Sequence, residues 1–165
     1  MTDRMRIDLK VRLASRQDAT GIASLSRDHI EHGLRWNWTA ARIVRAIERR
    51  TTNVVVAHDL ERLIGFGIMD YADDTAHLAL MGVQPTHRRC GVGRRLVDWL
   101  LTCADTAGIA CIRLEARADN PGALAFYERL GFEPAGRVPG YYAGLIDAVR
   151  LERWLWRPSQ ESTSK

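Results

Sequence analysis

The chain has 165 residues, 46% apolar and 27% charged, with a formal net charge of +4. That composition is ordinary for one soluble globular domain with a sizeable core. No apolar run approaches the roughly 20 residues a membrane helix needs. The opening MTDRMRIDLKVRL lacks the continuous apolar stretch of a secretory signal, so the expected location is cytoplasmic. Cys90, Cys103 and Cys111 are odd in number and contain no C-x-x-C, which argues against a disulfide framework or a zinc site; Cys103 and Cys111 are expected in the core. The positive charge suits an anionic ligand, but 20 interspersed acidic residues do not single out nucleic acid.

Ile7, Leu9, Val11 and Leu13 alternate with Asp8, Lys10 and Arg12, the period of a half-buried strand. Ser15, with Asp18 three residues on, resembles a capping box and opens a helix that buries Ile22, Leu25 and Ile30 and closes at Gly33. Thr39 caps a second helix to Arg50, carrying Ile43, Val44 and Ile47. Trp36 and Trp38, between the helices, are expected to staple the core; the competing role is the wall of a substrate entrance. His29, Glu31 and His32 lack the spacing and further ligand of a metal site, and no metal is expected.

Thr52 to His58, Leu63 to Tyr71 and Thr75 to Val83 read as three strands joined by short polar turns, an antiparallel meander. A helix opens after Gly91 and ends at Gly108. Ala110 to Ala116 is then a strand reached by a helical crossover, so it should run parallel to the strand ending at Val83. Asn120-Pro121 is an N-cap followed by proline at the first helical position; the short helix puts Ala123, Tyr127 and Leu130 on one face and stops at Gly131. Phe132 to Tyr142 and Leu145 to Trp156 are two closing strands. Pro158 to Lys165 is a polar tail expected to be disordered, leaving one domain over residues 1–157. The sum is an α+β sheet with one parallel crossover near its middle.

The organising stretch is Met81 to Leu101: a strand end, a basic glycine-rich turn and a helix start. A helix N-terminus presents unpaired N–H groups and about half a positive charge, which suits an anion. Gly91 and Gly93 permit close approach, and Arg88, Arg89, Arg94 and Arg95 surround the turn, which reads as a phosphate cradle. It is not a P-loop, because no Lys-Ser/Thr pair follows Gly93, and not a dinucleotide fingerprint, because Leu96 stands where the third glycine belongs.

The run Val83-Gln84-Pro85-Thr86-His87-Arg88-Arg89-Cys90-Gly91-Val92-Gly93 resembles the acetyl-CoA signature of the GCN5-related N-acetyltransferases (GNAT), Arg/Gln-x-x-Gly-x-Gly/Ala. A second family element follows in order at Asn120-Pro121, Ala123, Tyr127 and Gly131-Phe132, and the likeness covers roughly Ile7 to Trp156. It implies a mixed, mostly antiparallel sheet of about seven strands, splayed at two central parallel strands, with helices on both faces. It implies acetyl-CoA as the acetyl donor: the pyrophosphate on the turn formed by Arg88, Arg89, Cys90, Gly91, Val92, Gly93 and Arg94, the pantetheine arm along Met81, Gly82 and Val83, and Asn120 facing that arm. Within the family, Leu114-Glu115-Ala116-Arg117-Ala118-Asp119-Asn120, Tyr141-Tyr142 and Asp147-Ala148 resemble bacterial ribosomal-protein-alanine N-acetyltransferases. That likeness implies Glu115 as base, Tyr127 as acid to the leaving sulfur, Val83 N–H as oxyanion donor and a protein N-terminal α-amine as acceptor. The stretch Ile30 to Arg50 departs from that subgroup, which leaves a small-molecule amine as the alternative acceptor.

Each residue has a plainer alternative. Glu115 could pair with Arg113 or Arg117 at the surface, and Tyr127 could be a core aromatic. Cys90 beside arginines and His87 could look like an acyl-carrying nucleophile, but the resemblance puts it in the phosphate turn. The basic helix Thr39 to Arg50 could serve a nucleic-acid module, yet it lacks aromatic-basic interleaving and reads better as a solvated face. The remaining expectation is a monomer or homodimer with no membrane attachment.

Overall fold

The structure, a computed structural model, describes residues 7–157. The tail expected over 158–165 lies outside the described residues. Seven strands and four α-helices follow one another as β1 (Leu9–Leu13), α1 (Ala19–His29), α2 (Ala40–Glu48), β2 (Thr52–Asp59), β3 (Arg62–Tyr71), β4 (Thr75–Val83), α3 (Val92–Thr106), β5 (Cys111–Arg117), α4 (Pro121–Arg129), β6 (Glu133–Tyr142) and β7 (Ile146–Trp154). The strand order is β1-β2-β3-β4-β5-β7-β6. Thr75–His77 of β4 pair in parallel with Cys111–Arg113 of β5. That is the parallel crossover expected from the helix between these strands. The described residues cluster into two compact units, residues 7–70 with 78–102, and residues 71–77 with 103–157.

In the first unit the period-2 alternation of the strands separates two helical layers. Val54, Val56, Phe66 and Ile68 point to one face and join Ile22, Leu25 and Ile43 of α1 and α2 in a buried core. The opposite face belongs to α3. Side-chain atoms of Leu96 and Val92 lie 3.0 and 3.2 Å from where a Cβ of Gly65 would stand, and Leu100 lies 3.0 Å from that of Gly67. The two glycines in β3 therefore let a helix seat directly on the strand backbone.

Local signals set the helix starts. Asp18 accepts the Ser15 N–H at 2.8 Å, the reach-back half of the capping box. The first turn after it is a 3-10 turn, Arg16–Asp18, before α1 proper. Thr39 Oγ1 accepts the Arg42 N–H at 3.4 Å. α1 ends at His29 with Ile30 as its C-cap, so Gly33, three residues further on and left-handed at φ +79°, turns the following loop and does not close the helix as expected. Three further expectations need correction. Leu13 is 54% exposed, because it stands at the end of edge strand β1. Trp36 is 40% exposed with Arg27 stacked 5.6 Å from its ring, so it is no core staple, whereas Trp38 packs against the core with Arg42 3.7 Å over its ring. Cys103 is only half-buried; Cys111 is buried.

In the second unit, β5 pairs antiparallel with β7 from Cys111↔Trp154 to Arg117↔Ala148, and β7 pairs with β6. Ile112, Leu114, Leu130, Phe132, Ala148 and Leu151 are buried there. Asn120 Oδ1 accepts the Ala123 N–H at 3.1 Å and opens α4, with Pro121 in its first turn. Tyr127 is buried on α4, edge-on to Phe126 and Phe132 at ring-centroid distances of 5.1 and 5.7 Å.

Gly82 in β4 has a packing reason. A Cβ there would stand 2.6 Å from Ile30 Cδ1, 2.9 Å from Leu25 Cδ2 and 3.1 Å from Phe66 Cε1. Gly82→Ala is therefore expected to lose about 1–3 kcal/mol by overpacking, seen as a melting temperature lower by about 3–10 °C in thermal denaturation.

Candidate functional site

The turn between β4 and α3 is built from the first unit. Gln84 N–H donates to Ile64 O at 2.7 Å, and a 3-10 turn, Pro85–His87, follows. The chain then takes two left-handed steps, Arg89 at φ +61° and Gly91 at φ +80°. A Cβ at Gly91 would meet nothing within 4 Å, so the backbone is open to a ligand there. Arg95 N–H closes the first helical bond at 3.1 Å on Gly91 O. The N–H groups ahead of it belong to a helix end that has no internal partners. Arg88, Arg89, Cys90, Arg94 and Arg95 are exposed around this end, and Arg94 is 3.8 Å from Asp98. Cationic side chains crowded at the positive end of a helix fit an anion. The donor set suits a pyrophosphate by these features. Gly82 faces α1, so its contribution to a ligand is backbone.

Glu115 and Tyr127, the candidate acid–base groups, stand in the second unit. Glu115 is mostly buried on β5. His77 Nε2 donates to its Oε2 at 2.5 Å, and Arg150 Nε donates to its Oε1 at 3.4 Å. The His77 hydrogen bond, with help from Arg150, holds the Glu115 carboxyl below its ordinary value despite burial. Of the two arginines nearest in sequence, Arg113 pairs with Glu152 at 3.2 Å and Arg117 with Asp119 at 3.0 Å. Tyr142 O–H donates to the Glu115 backbone carbonyl at 3.2 Å. Burial, with the nearby Tyr142, pushes the Tyr127 phenol far above its usual value, so its O–H stays protonated. Asn120 spends its carbonyl oxygen on the helix cap, which leaves the amide –NH2 edge for any ligand.

Sequence reasoning missed His77 and Arg150. The signal was register: His77 is the third residue of β4 beside Arg113 of β5, and Arg150 stands opposite Glu115 on β7. It also missed Glu31. That carboxylate is buried and accepts Ser26 O–H at 2.9 Å, Asn37 N–H at 2.7 Å and Trp38 N–H at 3.3 Å. Its oxygens are committed to holding the loop between α1 and α2. Among the described residues no three His, Cys, Asp or Glu side chains converge as a metal site, and no helix is long and apolar enough to cross a membrane.

The fold and the glycine-rich anion turn define an acetyltransferase class. Residues 19–132 match the Acetyltransferase (GNAT) family, and the chain belongs to that family. Acetyltransferases of this family use acetyl-CoA. Over 82 residues the chain is 38% identical to a [ribosomal protein bS18]-alanine N-acetyltransferase of Salmonella typhimurium, covering 50% of this chain and 55% of that protein. Ard1 from Thermoplasma volcanium superposes with a TM-score of 0.81 at 25% identity, over 92% of this chain and 100% of that one. The ribosomal-protein-S18-alanine N-acetyltransferase from Escherichia coli gives 0.76, also at 25% identity, over 93% and 97%. Among the curated relatives, the matched stretch spans from 33% to 62% of their length in the cases of Mycobacterium leprae, Salmonella and Escherichia coli.

Proposed function

We propose that the protein transfers the acetyl group of acetyl-CoA to the α-amine of a protein N-terminus. The observation that carries this reading is the state of Glu115. A carboxylate gripped by His77 and Arg150 is a weak base. An α-ammonium has a pKa of about 7.8 and a lysine about 10.4, so the α-amine asks about 3.5 kcal/mol less of the same base. The similarity to bS18-alanine N-acetyltransferases supports the same acceptor class.

In this mechanism Arg88 to Arg94 and the start of α3 bind the donor's pyrophosphate, and Met81, Gly82 and Val83 bind its pantetheine arm. Asn120 offers an amide N–H to that arm. Glu115 takes the proton of the attacking ammonium, directly or through a water. The amine nitrogen bonds to the thioester carbon while Val83 N–H stabilises the developing oxyanion. The C–S bond breaks, Tyr127 donates a hydrogen bond to the departing thiolate, and the second proton on the newly bonded nitrogen passes to solvent or to that thiolate, leaving the neutral amide.

Acetyl-CoA at about 100 times its Kd is expected to stabilise the chain by about 2.7 kcal/mol, a rise in melting temperature of about 5–10 °C by differential scanning fluorimetry; no rise would end the donor assignment. The acceptor is tested by supplying acetyl-CoA with N-terminal peptides, lysine peptides, polyamines and amino sugars. Peptides with a free α-amine should turn over fastest. Preference for a polyamine or sugar would replace this acceptor with a small-molecule amine.

A further inference from the structure

His87 is an ionisable side chain that the transfer chemistry does not use, and it is buried to 4% exposure. Both ring nitrogens are engaged. Thr86 Oγ1 lies 2.9 Å from Nδ1, and Asp59 Oδ2 lies 3.3 Å from Nε2. An Nε2–H donated to the carboxylate and a hydroxyl donated to Nδ1 satisfy the neutral ring completely. Asp59 is itself fixed. It is the last residue of β2, paired with Arg62 across the turn to β3, and its Oδ1 accepts the Asp8 N–H at 3.1 Å.

The position of this contact gives it a use. His87 is the residue immediately before the anion turn, and Arg89, two residues on, holds a left-handed backbone at φ +61° without being glycine. Such a conformation persists only where the surroundings determine it. Arg88, Arg89, Cys90 and Gly91 are all exposed, so little packing of their own holds them. What anchors the turn at its start is the buried imidazole, together with the Gln84 N–H to Ile64 O bond at 2.7 Å.

We propose that Asp59 and His87 form a buried latch that pre-shapes the Arg88–Gly93 turn for the donor's phosphates, making His87 a positioning residue for the donor. This rests on the acetyl-CoA reading of that turn. The latch acts by lowering the ordering cost of binding, so its effect belongs to affinity and not to the chemical step.

The test is titration calorimetry of the full chain with coenzyme A, paired with kinetics. His87→Phe keeps a buried ring and removes both polar contacts. It is expected to raise the coenzyme A Kd about 10-fold, with kcat at saturating acetyl-CoA within about twofold of the parent. S-acetylpantetheine, which has no phosphate, should be used equally well by both proteins. Thr86→Val removes only the contact at Nδ1 from an exposed position. It is expected to raise the Kd about threefold, and it carries the test if His87→Phe does not fold. An unchanged Kd in the variants, or equal losses with coenzyme A and S-acetylpantetheine, would overturn the latch. A parent chain that does not bind coenzyme A is a different result and removes the donor reading itself.

Discussion

Glu115→Gln is expected to lower kcat by about 10²–10⁴-fold while acetyl-CoA affinity changes little. Glutamine keeps the shape of the side chain, but with one carbonyl oxygen in place of two it can accept from only one of His77 and Arg150, and it cannot take a proton. Steady-state kinetics with an α-amine peptide, alongside calorimetry with acetyl-CoA, separates the two effects. Retained turnover would remove Glu115 from the mechanism. A second readout follows from the ion pairs. Glu115 is held below its ordinary value by His77 first, then Arg150. A carboxyl depressed in the folded state contributes stability that is present above its unfolded value and lost as pH falls through its folded value. The stability deficit of Glu115→Gln should therefore be present at neutral pH and shrink in acid, as the parent loses the same contribution.

Tyr127→Phe is expected to lower kcat by about 10–10²-fold, less than the loss at Glu115. The size follows from the phenol. Burial raises it far above its usual value, while a thiol has a pKa of about 8.5. Complete proton transfer from this phenol to a thiolate runs uphill, so Tyr127 works as a hydrogen-bond donor and its loss costs less than that of a proton acceptor. Two controls follow. The parent's rate should show no alkaline fall below about pH 10 from this group. The ring's edge-on packing on Phe126 and Phe132 survives in phenylalanine, so the melting temperature should change little. Turnover equal to the parent's would reduce Tyr127 to a core aromatic.

The elements were legible where local chemistry decides them. Thr39 and Asn120 both cap the helices expected of them, and Gly91 and Gly108 turn left-handed at the two ends of α3. The parallel pair followed from the helix between β4 and β5. The shape of the candidate anion turn was legible for the same reason, since glycines, arginines and a helix start are neighbours in sequence. The surroundings of the candidate acid–base groups were only half legible. Glu115 and Tyr127 carry motif positions, but the partners of Glu115 come from β4 and β7, 38 residues before it and 35 after it. Arg113 and Arg117 are nearer in sequence and share the face of β5 that carries Glu115, yet they pair with Glu152 and Asp119. Trp36 misled because tryptophan's habit of burial says nothing about a short loop in which Trp38, two residues on, takes the core position.

The loop between α1 and α2 keeps its path through one internal anion, Glu31, which grips the backbone at Asn37 and Trp38 and the hydroxyl of Ser26. Arg35, Trp36 and Asn37 on its rim are exposed. The gripping contacts use main-chain N–H groups that every residue but proline possesses. The rim side chains can therefore be exchanged while the backbone stays where it is, which makes this loop a place where the protein's surface chemistry could diversify without refolding.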